Sequence, residues 1–219
     1  MSARPTFLND DLYQYLLNSS VRKQEIINKG NVLTDETVGI PMQSSLEQLN
    51  FLSWLVQTCS AKYILEIGTY TGLSALAMAQ ALSEDGRIIC LDHNEEFTAL
   101  AKDIWQQGKV TDKIELHIGK ALDSLKILQK EYKDYFNIVF IDADKVNNKH
   151  YYEMVLPMVA KGGIIMIDNV LWHGQVVNIN DNKASTMAIR EFNEYLYHDQ
   201  RVSITMLPLG DGLTLATKR

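Results

Sequence analysis

Residues 63–79 read YILEIGTYTGLSALAMA. An apolar run closes at Glu66, glycines follow at 68 and 72, and a helix-like tail comes next. Strand, tight turn and helix in immediate succession form the opening unit of an open α/β sheet. Glycines ahead of a helix N-terminus often cradle a phosphate. Here a carboxylate ends the strand, and it would repel a phosphate while attracting a cation.

Downstream the pattern repeats. RIICLD (87–92), KIELHIG (113–119), FNIVFID (136–142) and GGIIMID (162–168) are short apolar runs, and helical stretches separate them. Helices are expected over 95–107, 121–130, 148–160 and 184–198. This is βα repetition, which builds a parallel sheet with helices on both faces. The runs are continuously apolar rather than alternating, as buried parallel strands are. The last eighteen residues, VSITMLPLGDGLTLATKR, hold two strand-like runs around Gly-Asp-Gly, which predicts a hairpin and a final antiparallel strand. Gly210 and Gly212 serve that turn. The fold class expected is α/β, a Rossmann-like, doubly wound, seven-stranded sheet. Upstream, one helix is expected over 8–29, with Leu8, Leu12, Tyr15, Leu16 and Ser19 on one face and Gly30-Asn31 as its stop. A second is expected over 44–58, with a serine at its cap. The whole chain, 1–219, reads as one domain: a helical region over 1–60 capping the site and a core over 61–219.

The bulk numbers agree. At 219 residues and 46% hydrophobic, the chain supports a sizeable core. A net charge of −6 disfavours a nucleic-acid partner. No apolar run is long enough to span a bilayer, so no membrane partner is expected. The opening residues, MSARPTFLNDDLYQYLL, lack the apolar block of a secretion signal, and a cytoplasmic location is expected. Cys59 and Cys90 read as reduced thiols in or near the core. None of the five histidines forms an H-x-x-x-H pair, and His93, His117, His150 and His198 read as surface or packing residues.

Ligands of such sheets bind beyond the carboxyl ends of the strands, where strand order reverses. The spacing of Gly68 and Gly72 is G-x-x-x-G, not the G-x-G-x-x-G of a dinucleotide site. Ser74 falls in the first helical turn, among free N–H groups. Asp92 closes the second strand about 20 residues past the turn, where an acid takes a pair of ribose hydroxyls or, alternatively, caps the next helix. A cation, a ribose and no phosphates together describe S-adenosylmethionine.

Two further acids close strands. Asp142 ends the fourth, and Asp168, followed by Asn169, ends the fifth. One βαβ step apart, they are expected side by side on the edge that carries the glycine turn. Three oxygen donors, two of them charged, suit a hard divalent ion such as Mg²⁺, with Ca²⁺ or Mn²⁺ as alternatives. Asp144 either accepts from the cofactor or is a solvated loop acid. Lys145 is a candidate general base, because neighbouring cations disfavour an ammonium. Tyr151, Tyr152, Trp172 and Met42 could wall an aromatic acceptor or simply pack.

EIGTYTGLSALAMA, the acid of CLDHN, IDADK, GGIIMIDNVLWHG and LPLGDGLTL, in that order, resemble the cation-dependent class I O-methyltransferases, the caffeoyl-CoA and catechol group. The likeness runs from about residue 38 to the C-terminus. It implies strand order 3-2-1-4-5-7-6, with the last strand antiparallel. It implies adenosylmethionine across Met42, Ser44, Glu66, Gly68, Thr69, Ser74, Asp92, Ala121, Asp142 and Asp144. It places metal on Asp142, Asp168 and Asn169, the base at Lys145 and the acceptor near Tyr151, Trp172 and His173. A homodimer acting on a small catechol-like acceptor is the family expectation. The plant enzymes of that group carry asparagine at the position of His173 and tyrosine at that of Asn148, so the acceptor here need not be a coenzyme-A thioester. A methyltransferase acting on RNA, protein or a small amine, a noncatalytic adenosylmethionine binder, and a nicotinamide oxidoreductase remain the competing readings.

Overall fold

The computed structural model describes residues 6–22, 25–38 and 43–219. Seven strands form one sheet: β1 (Tyr63–Ile67), β2 (Arg87–Asp92), β3 (Ile114–Ile118), β4 (Phe136–Ile141), β5 (Val159–Asp168), β6 (Val202–Leu207) and β7 (Leu213–Lys218). Their order is β3-β2-β1-β4-β5-β7-β6. The first five pair in parallel, and β7 runs antiparallel to both β5 and β6. Eight α-helices complete the described chain: α1 (Asp10–Ser20), α2 (Glu25–Val38), α3 (Leu46–Thr58), α4 (Leu73–Ala81), α5 (Glu95–Gln107), α6 (Ala121–Glu131), α7 (Asn148–Val155) and α8 (Ala184–His198).

The alternation of each strand sorts its side chains between two cores. Ile64, Ile88, Ile138 and Phe140 point to the face covered by α2, α3, α4 and α5, where Leu52, Leu76, Ile104 and Trp105 meet them. Leu65, Leu91, Val139 and Ile165 point to the other, covered by α6, α7 and α8 through Leu128, Tyr152, Val155 and Phe192. Burying both faces is why these strands read as unbroken apolar runs. No helix among the described residues is long and apolar enough to cross a membrane.

The N-terminal part departs from the sequence expectation. In place of one helix over 8–29 there are two, and Gly30-Asn31 lies inside α2 instead of ending it. A β-carbon on Gly30 would sit 2.5 Å from Leu73 Cδ2 of α4, so this glycine serves close helix packing. Helix α1, capped by the Asn9 side chain, has no buried residue; Tyr13 instead anchors it by donating to Glu47 Oε2 at 2.6 Å. Ser45 does take the N-cap position of α3, but its hydroxyl donates to the Glu47 carboxylate and caps no backbone N–H. Cys59 is exposed, against expectation, because α3 stops at Thr58 and its buried stripe is not continued; Cys90 is buried. Helix α7 ends at Val155, short of 160, in a turn containing Pro157, and β5 begins three residues before the Gly162-Gly163 pair. Proline has no N–H to carry the helix on.

Candidate active site

Three strand ends are zipped together at one edge. The Gly68 N–H donates to Leu91 O at 2.9 Å, and the Asp142 N–H donates to Ile67 O at 2.8 Å. The turn after β1 therefore runs against the chain leaving β4. Gly68, at φ +86°, sits so close that a β-carbon there would lie 2.0 Å from the Asp142 carbonyl oxygen. Gly72, at φ +78°, meets Trp105 in the same way, and the Trp105 indole N–H donates to Gly72 O at 2.8 Å. Asp92 braces this turn from β2. Its Oδ2 accepts the N–H groups of Thr69 and Tyr70, both at 2.8 Å, and its Oδ1 accepts that of Asn94. Helix α5 is capped by Asn94, so Asp92 is not its cap.

Glu66 lies beneath the turn, fully buried, and accepts from the Ser74 hydroxyl at 2.6 Å. Its second oxygen has no hydrogen-bond partner. Burial pushes its carboxyl up to about 7, and Ser74, Cys90 and Thr69 pull it down less strongly. An acid whose folded pKa is raised favours the fold at low pH and loses that contribution as pH rises through the folded value. The melting-temperature difference between Glu66→Gln and the parent, without cofactor, is therefore expected to grow in the variant's favour from about pH 5 to pH 8, by on the order of 5 °C. A difference flat across that range would show that the carboxyl is not buried as a strained charge.

Beyond the turn, Asp142 Oδ1 pairs with Lys145 Nζ at 3.0 Å, and Lys145 is itself buried. Asp144 accepts from the Tyr151 hydroxyl at 2.5 Å and from the Asn147 amide at 2.6 Å. Tyr151 is buried, with its hydroxyl tied to the IDADK loop, and burial followed by Asp144 raises its phenol. Asp168 is 2% exposed. Burial, and then the charge of Asp142, push its carboxyl up to about 7, while Gln48, Lys145 and the Asn169 N–H oppose the shift. Asn169 has a left-handed backbone at φ 58°, and its N–H donates to Asp168 Oδ1 at 2.7 Å.

Trp172 and His173 follow, both at φ 48°. Trp172 is half-buried, and the His173 ring is exposed. Ser44 precedes α3 and Ala121 opens α6 directly after β3; both are half-buried. Met42 lies outside the described residues. Tyr152 packs in the core and donates to Asp199.

The donor set can be tested against a divalent ion. Asp142 and the buried Asp168 close the adjacent strands β4 and β5, and Asn169 follows in sequence; two carboxylates and a carboxamide are the oxygen donors a hard dication takes. Among the described residues no cluster of three or more His, Cys, Asp or Glu side chains forms a fuller cage. Such a donor set would leave positions for water or substrate.

Two residues around this edge, Gln48 and Arg190, lie in no motif, and a third, Asp211 of LPLGDGLTL, has a role beyond its turn. Gln48 of α3 is buried and pulls on Asp168. Asp211, in the hairpin turn, accepts the His173 N–H at 2.6 Å through Oδ1, and its carbonyl accepts from Leu171 at 3.0 Å. Arg190 of α8 holds the loop after β5. The Gly-Asp-Gly stretch therefore does more than turn the chain.

The family model described as O-methyltransferase matches residues 17–219. The chain belongs to the O-methyltransferase family. Its relatives include the probable caffeoyl-CoA O-methyltransferase 1 of Dictyostelium discoideum, 37% identical over 96% of this chain and 93% of that protein. The caffeoyl-CoA O-methyltransferase 1 of Zea mays is 39% identical over 96% of this chain and 85% of that one. The crystal structure of the O-methyltransferase from Bacillus cereus in complex with SAH superposes at a TM-score of 0.87, with 32% identity, 94% of this chain and 96% of that chain covered. The strand order of this O-methyltransferase is the one its motifs imply.

Proposed function

We propose that this O-methyltransferase moves the methyl group of S-adenosylmethionine to one hydroxyl of a small catechol-like acceptor, with a divalent ion required. The observation that carries the reading is the pair of acids, Asp142 and the buried Asp168, at the ends of the adjacent strands β4 and β5. An ion held by Asp142, Asp168 and Asn169, magnesium most readily, would supply Lewis-acid stabilisation of a deprotonated acceptor hydroxyl. The glycine turn, Thr69, Ser74, Asp92 and Ala121 would hold the donor over β1 and β2, with Ser44 and Met42 on its N-terminal side and Asp144 on its β4 side. Glu66, under the turn, would add a negative field suited to the donor's positive charge.

The chain's own residues would do two things. Lys145 Nζ, beside Asp142, would take the acceptor proton. The turn and the IDADK loop, packed backbone against backbone, would hold the acceptor oxygen in line with the methyl at about 3 Å as the new O–C bond replaces the S–C bond. Trp172, His173 and Tyr151 would shape the acceptor side, and the helices before residue 60 would cover the site through Gln48. A cytoplasmic homodimer is the accompanying expectation, which light scattering and fractionation check.

The test is methyl transfer across a panel of vicinal diphenols and their thioesters, with and without added magnesium. Transfer to a vicinal diphenol that appears only with metal is expected. Undiminished activity after exhaustive chelation would sink the metal reading.

A further inference from the structure

The chain between β5 and α8 is unusual in its backbone. Asn169, Trp172, His173 and Gly174 all have positive φ, and three of the four are not glycine. Such a run is energetically uphill and persists only where the surroundings over-determine it. Val177 and Ile179 on the same loop are exposed, so apolar burial does not hold its far end. The near end is tied to the hairpin turn, where Val170, Leu171 and His173 donate to Gly212 O, Asp211 O and Asp211 Oδ1. The far end is tied to α8, where Thr186 Oγ1 donates to Asp181 Oδ2 at 3.0 Å and one guanidinium gathers the main chain. Arg190 donates from Nε to Val176 O at 2.8 Å, from Nη1 to Asp181 O at 3.0 Å, and from Nη2 to Gln175 O at 2.8 Å and Asn178 O at 2.5 Å.

A guanidinium has five N–H donors in a rigid plane. Four carbonyls spread over Gln175–Asp181 converge on that plane, a task that a lysine ammonium, a point charge with three donors, cannot reproduce. Asn193, one turn further along α8, adds a bond to Val170 O at 2.9 Å. Helix α8 is in turn locked to the sheet by Phe192 and Leu196, which are buried in the second core.

We propose that Arg190 is a positioning residue for methyl transfer: by gathering four loop carbonyls it holds the segment 172–181, and with it Trp172 and His173, in the one arrangement that receives the acceptor. The proposal rests on the reading of the site given above. Arg190 contacts neither donor nor acceptor on this account; it acts through the loop.

Arg190→Lys separates this role from a merely structural one. Exchange of the Gly174, Asn178 and Asp181 amides, which are bonded within the loop, is expected to quicken about tenfold or more. The KM for the acceptor is expected to rise about tenfold, with kcat and the affinity for S-adenosylmethionine changed less than about threefold. Loop amides that exchange at the parent rate would overturn the clamp. A lowered melting temperature with loosened amides but unchanged acceptor KM would reduce Arg190 to a structural residue and overturn the positioning claim. In the parent protein the clamp also requires slowly exchanging, inequivalent guanidinium protons on Arg190; a freely rotating, averaged signal counts against it even if the variant does not fold. If the parent transfers no methyl to any diphenol, the functional reading falls, and the amide and guanidinium measurements still decide whether Arg190 holds the loop.

Discussion

Asp168→Asn is expected to lose methyl transfer by about a thousandfold or more, the effect of removing several kcal/mol of Lewis-acid stabilisation, and yet to melt higher than the parent when metal is absent. Asparagine keeps the shape of the side chain and an oxygen for the Asn169 N–H, now at 2.7 Å. What it removes is a charge that is 2% exposed and repelled by Asp142. A buried charge without full compensation costs stability, and a neutral isostere recovers on the order of 1–3 kcal/mol, which for a chain of this size is about 5 °C. Initial rates at saturating metal measure the first effect, and thermal melts in chelator measure the second. In millimolar magnesium the parent should regain the difference, because an ion that binds only the folded state stabilises it. Activity within about tenfold of the parent would show that no ion depends on this acid. A lower melting point in chelator would show that the carboxylate is structurally paired after all.

Gly68→Ala should damage both halves of the site at once. The added methyl would stand 2.0 Å from Asp142 O and 2.6 Å from Asp142 C, on a backbone at φ +86°. Left-handed alanine costs about 1 kcal/mol, and forcing packed main chain apart adds about 1–3 kcal/mol. Neither neighbour yields easily, since the Asp142 and Gly68 N–H groups are both bonded to strand ends. The expected result is a melting temperature lower by about 10 °C and turnover reduced at least about a hundredfold by displacement of the turn or of Asp142. Gly174→Ala is the control. It has positive φ at 75°, but a β-carbon there would meet nothing within 4 Å, so only the backbone cost of about 1 kcal/mol applies. Calorimetry with cofactor titration distinguishes the two. A Gly68→Ala protein that melts and binds cofactor like the parent would show that the close approach is not maintained in solution.

The sheet could be read from the chain alone because a parallel strand covered on both faces admits little but apolar residues. For the same reason, an acid closing such a run must emerge at the strand's end, so Glu66, Asp92, Asp142 and Asp168 could be placed on one edge before any coordinates. The hairpin was equally legible from Gly-Asp-Gly between two strand-like runs. Other features depend on partners far away in sequence. Gly30 looks like a helix stop until Leu73 is seen lying against it. Asp92 reads as a ribose acid or, alternatively, a cap, and only the fold shows its carboxylate accepting the N–H groups of Thr69 and Tyr70. Glu66 keeps its place in the motif, but only packing puts it beneath Ser74 and out of water. Arg190 leaves no trace at all, and Asp211 is legible only as part of a turn and not as the acceptor of the His173 N–H, because a bond to a main-chain carbonyl or N–H makes no demand on the identity of the residue it reaches. Pattern along the chain carries hydrophobic period and strand ends; contacts to backbone across the fold exist only once the chain has closed on itself.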